Sequence, residues 1–420
     1  MNYNLQTSAP LAHLWLPFTQ MAAFNPAERT FVRAEGRTLI DARGRHVFDA
    51  ISSVWTTIHG HCHPHIVGAI SRQAAMLDHA TALGAANPPA IALAERLSAL
   101  TGLERVFFSS DGASAVEVAL KIALQYWQNA GKPERRRFVR LSHAYHGDTI
   151  GAMSVSDIAL FKQRFSPVLF ESVPYAAAAD ALADDDVAAV IVEPTVQAAA
   201  GMRIVPPSDY EPLRFHGAHG SSRPLLIVDE IATGFGRTGA MFAFAALDLQ
   251  PDVLCLGKGL TGGTLALSAT LASDRVYDAF LGDFASARHL FHGHSFAANP
   301  IASAAALASL ELFDREHTLS NAVGLSQELE QLLLPLASHR AVREIRRAGL
   351  MCAIELDIQA LALPDEPTRA WTVANRLYER GHFTRPLGDA IQLVPPLASS
   401  VQELTSFCAS LHAVLDEVTR

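Results

Sequence analysis

Several features that mark specialised classes of protein are scarce in this 420-residue chain. Cysteine is rare: the four cysteines stand at positions 62, 255, 352 and 408, too far apart to suggest a paired metal motif or a disulfide framework. Lysine and arginine, 33 in all, are outnumbered by 42 acidic residues, and the net charge of −9 offers no general attraction for nucleic acid. The composition therefore predicts a protein of a reducing compartment, the cytoplasm, without a nucleic-acid partner.

Long apolar runs are also missing. No stretch reaches the roughly 20 residues that a membrane-spanning helix needs, and MNYNLQTSAPLAHLW lacks the basic start and apolar core of a signal peptide. The main basic cluster, Arg135-Arg136-Arg137, could bind phosphate, but so short a run in an acidic chain is typical of a solvated loop. Half of the residues are hydrophobic, so we expect a compact globular protein that does not enter membranes.

Three short apolar runs each end in an ionisable residue. VAAVIVEP ends at Glu193, RPLLIVDE at Asp229 and Glu230, and DVLCLGK at Lys258. Runs of this length, rich in Val, Ile and Leu and bounded by Pro or Gly, indicate strands buried on both faces.

Helical patterns alternate with these runs. The clearest is SAVEVALKIALQYWQNAGK, where one apolar stripe comprises Val116, Ala119, Leu120, Ala123 and Trp127, and where Gly131 can end the helix. The alternation predicts an α/β fold with a mainly parallel sheet. Because ligands in such folds bind beyond the carboxyl ends of the strands, Glu193, Asp229 and Lys258 are expected to converge on one site.

Lys258 stands between two glycines directly after the third apolar run. Its amine could simply remain in water at the rim of the sheet. A phosphate-binding loop of the type GxxxxGK[ST] is excluded, because the pattern needs Gly where Asp252 stands and Ser or Thr where Gly259 stands. The remaining interpretation is a covalent lysine, whose neutral amine forms a Schiff base with a carbonyl.

A Schiff-base enzyme that uses pyridoxal phosphate needs three further groups, and the chain offers a candidate for each. Asp229 could hold the pyridine nitrogen protonated. The strand-to-helix segment FFSSDGASAVEVAL, with Gly112 and Ala113, could bind the phosphate at a helix start. Tyr145 or the adjacent His146 could cover the ring. Each residue alone also has an ordinary structural explanation, but their joint presence favours a pyridoxal phosphate enzyme.

The histidines of IHGHCHPH, at positions 59, 61, 63 and 65, alternate as metal ligands sometimes do. No neighbouring carboxylate or thiol pattern completes a site, and Pro64 interrupts the strand that would align them. His292 and His294 in FHGHSF are expected to shape a loop. We therefore predict no metal.

On these motifs the chain resembles the class III aminotransferases of fold type I over essentially its full length. The segments that carry the resemblance are DEIATGFGRTG, LGKGLTGGTLALSAT, AYHGDTIGAMSVSD and HGHSFAANPIA. More narrowly, HLWLPFTQM, SSVWTTIHGHCHP and TRPLGDAIQLVPP are similar to segments of the 7,8-diaminononanoate synthases of biotin biosynthesis. Two departures stand out: SSDGAS differs from the commoner order with Ser before Gly, and residues 166–186 look shorter than their family counterpart.

The resemblance implies a homodimer whose large domain contains a mainly parallel seven-stranded sheet, beside a smaller α/β domain built from both termini. We expect residues 1–60 to belong to the small domain and an active-site lid. Residues 61–312 would form the large domain that binds pyridoxal phosphate, and residues 313–420 the C-terminal small domain.

The resemblance also implies roles for individual residues. Lys258 would bind the cofactor covalently and move a proton, Asp229 would pair with the pyridinium nitrogen, and Tyr145 would cover the ring. The implied cofactor-binding residues are Gly112, Ala113, Tyr145, Asp229, Ile231, Lys258, His294 and Ser295, of which His294 and Ser295 would come from the second subunit. The implied substrate-binding residues are Phe18, Val54, Trp55, Tyr145, Gly293 and Arg385, with Arg385 on the distant carboxylate of 8-amino-7-oxononanoate.

The implied reaction transfers an amino group to 8-amino-7-oxononanoate in two half-reactions. The donor is S-adenosylmethionine or lysine, and lysine is favoured because Phe18 and Val54 stand where members that use S-adenosylmethionine usually carry Tyr and Trp. Two rivals stay open: another ω-aminotransferase or aminomutase of the same fold, and a catalytically silent pyridoxal-binding protein. The first would need neither Arg385 nor Trp55.

Overall fold

The computed structural model describes residues 13–23, 29–175, 184–214, 223–364 and 369–419, so part of the stretch at 166–186 lies outside the described residues. The strands in this part of the chain are β1 (Phe31–Glu35), β2 (Thr38–Asp41), β3 (His46–Asp49), β4 (Arg105–Ser109), β5 (Arg137–Arg140), β6 (Ser172–Pro174), β7 (Val187–Val192), β8 (Val196–Gln197), β9 (Arg203–Ile204), β10 (Leu225–Asp229), β11 (Val253–Leu256), β12 (Ser268–Ala272), β13 (Val342–Ala348), β14 (Met351–Leu356), β15 (His382–Phe383), β16 (Pro386–Leu387) and β17 (Ala390–Leu393).

The long helices are α1 (Pro64–Met76), α2 (Pro88–Thr101), α3 (Gly112–Asn129), α4 (Pro300–Arg315), α5 (Thr318–Ala337), α6 (Arg369–Glu379) and α7 (Val401–Val418). Short α-helices of four or five residues span Ile150–Ser154, Ala159–Lys162, Ala243–Ala246 and Asp274–Asp278. In the described residues, no helix combines the length and the apolar character needed to cross a membrane.

The central sheet of the described residues has seven strands in the order β4-β12-β11-β10-β7-β5-β6. Only β12 runs antiparallel to its neighbours, β4 and β11. Every residue of β7, β10 and β11 is buried, as expected for strands covered on both faces. This sheet confirms the predicted α/β fold with its mainly parallel seven strands.

Helix α3 covers one face of the sheet and confirms the helix predicted from its apolar stripe. All five residues of that stripe are buried, and the Trp127 indole Nε1 donates a hydrogen bond to the Ala188 carbonyl at 2.8 Å. The helix begins where the Asp111 side chain accepts a hydrogen bond from the Ser114 amide at 3.0 Å. The start of α3 is thereby anchored directly after β4.

The chain termini build two further sheets. One has the order β1-β2-β3-β15, so that His382–Phe383 joins N-terminal strands, and the other has the order β13-β14-β17-β16. The second sheet is built from IRRAGLMCAIEL, which forms β13 and β14, and from the segment after β15, which forms β16 and β17. Domain boundaries at residues 60 and 312 stay a prediction.

From the burial of the central strands we predict how two Leu→Ala substitutions change the free energy of unfolding. Leu254 in β11 is fully buried, whereas Leu334 on α5 is 56% exposed. Leu254→Ala should lower the free energy of unfolding by about 2–5 kcal/mol, because it removes buried methyl groups and leaves a cavity. Leu334→Ala, the matched control, should change it by no more than about 0.5 kcal/mol. Urea denaturation of the cofactor-free protein measures both, and equal effects would contradict the described packing.

Candidate active site

A cavity of about 450 Å³ opens where β7, β10 and β11 end. Glu193, Asp229 and Lys258, the ionisable residues that follow the three apolar runs, all line it. Gly112, Ala113, Tyr145, Ile231 and Trp55 line it too. The structure therefore brings seven of the predicted site residues together in one place, and Glu193 with them.

The Lys258 amine lies beside an aromatic ring: its Nζ is 5.0 Å from the centroid of the Trp55 ring. Burial lowers the pKa of Lys258 below its usual value, and the nearby carboxyl groups of Asp229 and Glu193 oppose this shift. The residue has a left-handed backbone, with φ at 41°, and begins a 3₁₀ turn that ends before Gly262. This environment favours a neutral, nucleophilic amine.

Asp229 is held at the floor of the cavity by two hydrogen bonds. Its Oδ1 accepts from the Ile231 amide at 3.0 Å, and its Oδ2 lies 2.7 Å from Nδ1 of His146. Asp229 is only 5% exposed, and the buried Nε2 atom of His146 has no hydrogen-bond partner among the described residues. The carboxylate thus has a fixed orientation in a site shielded from water.

The start of α3 forms one wall of the cavity. The first amide groups of a helix have no partner within it, and together with the helix dipole they attract anions. Gly112 allows the backbone to lie close to Ile231, because a Cβ atom at this position would come within 2.8 Å of Cγ2 of Ile231 and displace that side chain. The wall can therefore accept a phosphate group close to the backbone at Gly112 and Ala113.

Tyr145 closes another side of the cavity. Its amide donates to Oε2 of Glu193 at 2.9 Å and its hydroxyl to Oδ2 of Asp148 at 2.8 Å. Burial and the Asp148 carboxylate raise the pKa of the Tyr145 hydroxyl, and burial together with Asp229 raises the pKa of Glu193 well above its usual value. The Tyr145 ring meets Phe161 edge-on, with centroids 5.9 Å apart.

Trp55 reaches the cavity from an unusual turn. Ser52, Ser53, Val54 and Trp55 all have left-handed φ angles, between 47° and 67°. Such a conformation costs roughly 1–2 kcal/mol for each residue that carries a Cβ. The surrounding structure has to hold it in place.

Arg237 holds the turn from behind. Its guanidinium donates to Oγ of Ser52 at 3.2 Å and to the carbonyls of Thr57 and Pro395 at 2.8 and 2.7 Å. Arg237 is 1% exposed, and burial lowers its pKa to about 9. A buried side chain from the loop after β10 thus fixes the segment that carries Trp55.

Six predicted site residues do not line the cavity: Phe18, Val54, Gly293, His294, Ser295 and Arg385. Phe18 and Val54 are exposed, at 56% and 45%, and the Phe18 ring meets Phe161 edge-on at 5.1 Å. His294 Nε2 lies 3.4 Å from Ser110 Oγ of the same chain. That a second subunit supplies His294 and Ser295 stays a prediction.

Arg385 also lies outside the cavity lining, next to the segment that contains β16 and β17. Its guanidinium is 5.9 Å from the ring centroid of Trp371, and burial lowers its pKa. The described residues provide no carboxylate within ion-pairing distance of this guanidinium. An arginine in this state is available to an anionic ligand.

The sequence predicted Glu193 at this site, because it ends an apolar run, and offered His146 as an alternative to Tyr145 for covering the ring. It indicated no role for Asp148, Arg237 or Gln392. Asp148 lies three residues after Tyr145, and its carboxylate accepts the hydrogen bond of the tyrosine hydroxyl. Arg237 and Gln392 act through hydrogen bonds to residues far away in the chain, for which the sequence shows no pattern.

The alternating histidines differ in burial and in their partners. His59 is buried, which lowers its pKa to about 3, whereas His63 and His65 contact Glu316 and Glu311 of the α4 region. Pro64 occupies the first position of α1. No cluster of three or more metal-ligating side chains occurs in the described part of the chain, and the absence of a metal remains a prediction.

The family model for Aminotransferase class-III matches residues 21–415. This chain is a class III aminotransferase. It is 40% identical to the adenosylmethionine-8-amino-7-oxononanoate aminotransferase of Aquifex aeolicus over 438 residues, which cover 97% of this chain and 96% of the relative.

Solved structures agree with this assignment. The crystal structure of the adenosylmethionine-8-amino-7-oxononanoate aminotransferase of Methanocaldococcus jannaschii matches this aminotransferase with a TM-score of 0.89 and 36% identity, over 97% of each chain. An amine transaminase from an uncultivated Pseudomonas species in its PLP-bound form matches with a TM-score of 0.87 and 31% identity, over 97% of this chain and 99% of that one. The chain therefore has fold type I.

Pyridoxal phosphate is the cofactor of this aminotransferase. The cavity provides groups that suit each part of the molecule. A buried carboxylate at Asp229 suits a cationic ring nitrogen, the start of α3 suits a phosphate, and an amine with a lowered pKa at Lys258 suits an aldehyde. The residues present thus fit the cofactor.

The buried environment of Lys258 leads us to predict how its acetylation depends on pH. Because burial lowers its pKa, the neutral amine should be present at lower pH than for a lysine in water. In protein freed of cofactor, acetic anhydride should therefore label Lys258 with a half-maximal pH below that of a blocked lysine added as internal reference. Mass spectrometry of the Lys258 peptide measures the profile. A midpoint equal to or above that of the reference would contradict the lowered pKa.

Proposed function

We propose that this aminotransferase transfers an amino group to the C7 ketone of 8-amino-7-oxononanoate, giving 7,8-diaminononanoate for biotin biosynthesis. The donor carbon loses its amino group and becomes a carbonyl, while the ketone carbon becomes an amine. The relatives cited above, which are named for 8-amino-7-oxononanoate, support this substrate.

The observation that carries the proposal is the state of Arg385. Its guanidinium is half-buried beside Trp371, and no carboxylate of the described residues pairs with it. A planar guanidinium can hold a carboxylate through two parallel hydrogen bonds, and 8-amino-7-oxononanoate carries its carboxylate at the end distant from the reacting carbon. Trp55 offers apolar surface for the intervening chain.

We propose that Lys258 moves the proton of the reaction. Its Nζ, kept neutral by burial, would accept the proton from the amine-bearing carbon of the donor and later deliver a proton to C7 of the product. Pyridoxal phosphate supplies the electron-withdrawing ring that makes this carbon acidic. The Trp55 ring, 5.0 Å from Nζ, shields the amine from water on one side.

The other cavity residues would hold the cofactor. The Asp229 carboxylate, oriented by His146, would keep the ring nitrogen protonated, with Ile231 beneath the ring and Tyr145 above it. The amides of Gly112 and Ala113 would hold the phosphate at the start of α3. In this proposal His294 and Ser295 of a second subunit complete the phosphate site.

We propose a homodimer in the cytoplasm. Three aromatic side chains of the segment around Gly293 face outward in the single chain: Phe284 is 91% exposed, Phe291 57% and Phe296 64%. Several exposed apolar side chains within one segment are typical of a surface that another subunit covers. All four cysteines, which lie within the described residues, are free, as suits a reducing compartment.

For the donor we propose lysine, with S-adenosylmethionine as the alternative. Phe18 has no hydroxyl to offer a hydrogen bond, and its ring packs against Phe161. Val54 presents a small side chain, 45% exposed, in the turn beside Trp55. These two side chains provide little for a large sulfonium nucleoside to contact. The relatives carry adenosylmethionine in their names, which makes it the competitor to test.

Separate half-reactions test both proposals. The holoenzyme is mixed in a stopped-flow instrument with either lysine or S-adenosylmethionine, and the absorption of the bound cofactor is followed. Lysine should abolish the yellow absorption, S-adenosylmethionine should leave it, and 8-amino-7-oxononanoate added afterwards should restore it with release of 7,8-diaminononanoate.

The possible results separate the alternatives. If S-adenosylmethionine is active and lysine inert, the donor proposal is wrong and the keto substrate stands. If short ω-keto acids restore the absorption and 8-amino-7-oxononanoate does not, the protein is a different ω-aminotransferase. If no donor changes the absorption, it is a silent cofactor-binding protein.

A further inference from the structure

The side chain of Gln392 joins two residues that the proposed function places around the substrate. Its Oε1 accepts a hydrogen bond from Nε1 of Trp55 at 2.8 Å, and its Nε2 donates to the backbone carbonyl of Arg385 at 2.8 Å. Trp55 lies next to the reacting lysine, and Arg385 is the proposed carboxylate receptor. One amide therefore spans the distance between the two.

Only an amide of this length meets both requirements. An indole N–H can only donate a hydrogen bond, and a backbone carbonyl can only accept one, so the group between them needs an acceptor on one side and a donor on the other. Leucine would supply neither and an ionised glutamate no donor. Asparagine is one methylene shorter. The partners also fix which way round the amide of Gln392 lies.

Gln392 is itself held rigidly. It lies in β17, where it pairs with Ala353 of β14, and its side chain is 2% exposed. Its backbone carbonyl accepts a hydrogen bond from Oγ1 of Thr384 at 2.6 Å, so the residue before Arg385 is tied to it as well. The main chain at 384–385 therefore has its position set by Gln392.

The hydrogen bonds of Gln392 also link the left-handed turn at Trp55 to Arg385. The turn that presents Trp55 is fixed from behind by Arg237, and Trp55 is then hydrogen-bonded to Gln392 at the ring edge. A shift of the indole would displace the amide, and with it the backbone from which the Arg385 side chain extends. Rigid, fully satisfied buried amides are suited to this kind of transmission.

We propose that Gln392 is a positioning residue that couples Trp55 to Arg385, so that the carboxylate receptor is held at a fixed place relative to the amine of Lys258. This inference rests on the proposed function, because it takes Arg385 as the group that binds the substrate carboxylate. Gln392 touches neither the substrate nor the cofactor in this account and acts only through its two partners.

The first test is a double-mutant cycle between Gln392 and Arg385. Gln392→Leu should raise KM for 8-amino-7-oxononanoate about tenfold, the equivalent of one lost buried hydrogen bond, with kcat nearly unchanged. Arg385→Ala should raise the same KM at least as much. Because Gln392 acts through Arg385, adding Gln392→Leu to Arg385→Ala should raise KM no further. Gln402→Leu, at an exposed glutamine of α7, is the matched control and should change nothing.

A second measurement is independent of activity. In the ¹⁵N spectrum of the holoenzyme, the indole N–H of Trp55 should exchange slowly with solvent, and Gln392→Leu should make it exchange faster. Gln392→Glu, measured at a pH at which its carboxyl is ionised, keeps the acceptor for the indole and loses the donor for the Arg385 carbonyl. It should therefore retain slow exchange and still raise KM. If Gln392→Leu does not fold, Gln392→Glu serves in the cycle.

The outcomes distinguish a failure of the proposed carboxylate role of Arg385 from a failure of the coupling through Gln392. If Arg385→Ala leaves KM unchanged, the proposed carboxylate role fails and the coupling falls with it. If Arg385→Ala raises KM but the double variant raises it further by the full factor of the single change, Gln392 does not act through Arg385. If Gln392→Leu leaves both KM and indole exchange unchanged, Gln392 positions nothing, and only the proposed function survives.

Discussion

Burial of the Lys258 amine at the ends of three parallel strands is the constraint on which the rest of the site depends. The register of β10 with β11 pairs Asp229 with Cys255, so a lysine three residues further on reaches the same cavity as the carboxylate. Burial disfavours the ammonium form, and the acidic neighbours oppose it only in part. The cavity therefore combines a nucleophilic amine with a fixed carboxylate, which is the combination that a Schiff-base cofactor needs.

The remainder of the site is assembled from segments far apart in the chain. Arg237, from the loop after β10, reaches the strained turn before Trp55 and the Pro395 carbonyl in one set of hydrogen bonds. Gln392 then links Trp55 to the backbone of Arg385. The terminal parts of the chain thus complete a site whose chemical groups belong to the central sheet. This division suits an enzyme family in which one reaction is applied to different substrates.

Local sequence patterns predicted the strands and the helix whose formation depends on neighbouring residues. The buried strands before Glu193, Asp229 and Lys258 and the amphipathic helix α3 follow from apolar runs and helical periodicity, and parallel strands bring their ends together. Gln392 and Arg237 could not be predicted, because their partners lie up to 337 residues away and no periodicity links them. The left-handed turn at SSVW was also hidden, since it contains no glycine to indicate positive φ angles.

Covalent attachment of the cofactor to Lys258 can be tested directly. The chain has four lysines, at positions 121, 132, 162 and 258. Borohydride reduction of the holoenzyme followed by proteolysis and mass spectrometry should place a phosphopyridoxyl group on the peptide that contains Lys258, and on no other. The same treatment of Lys258→Ala should leave all peptides unmodified. A tag on Lys121, Lys132 or Lys162 in the native enzyme, or no tag at all, would contradict the account.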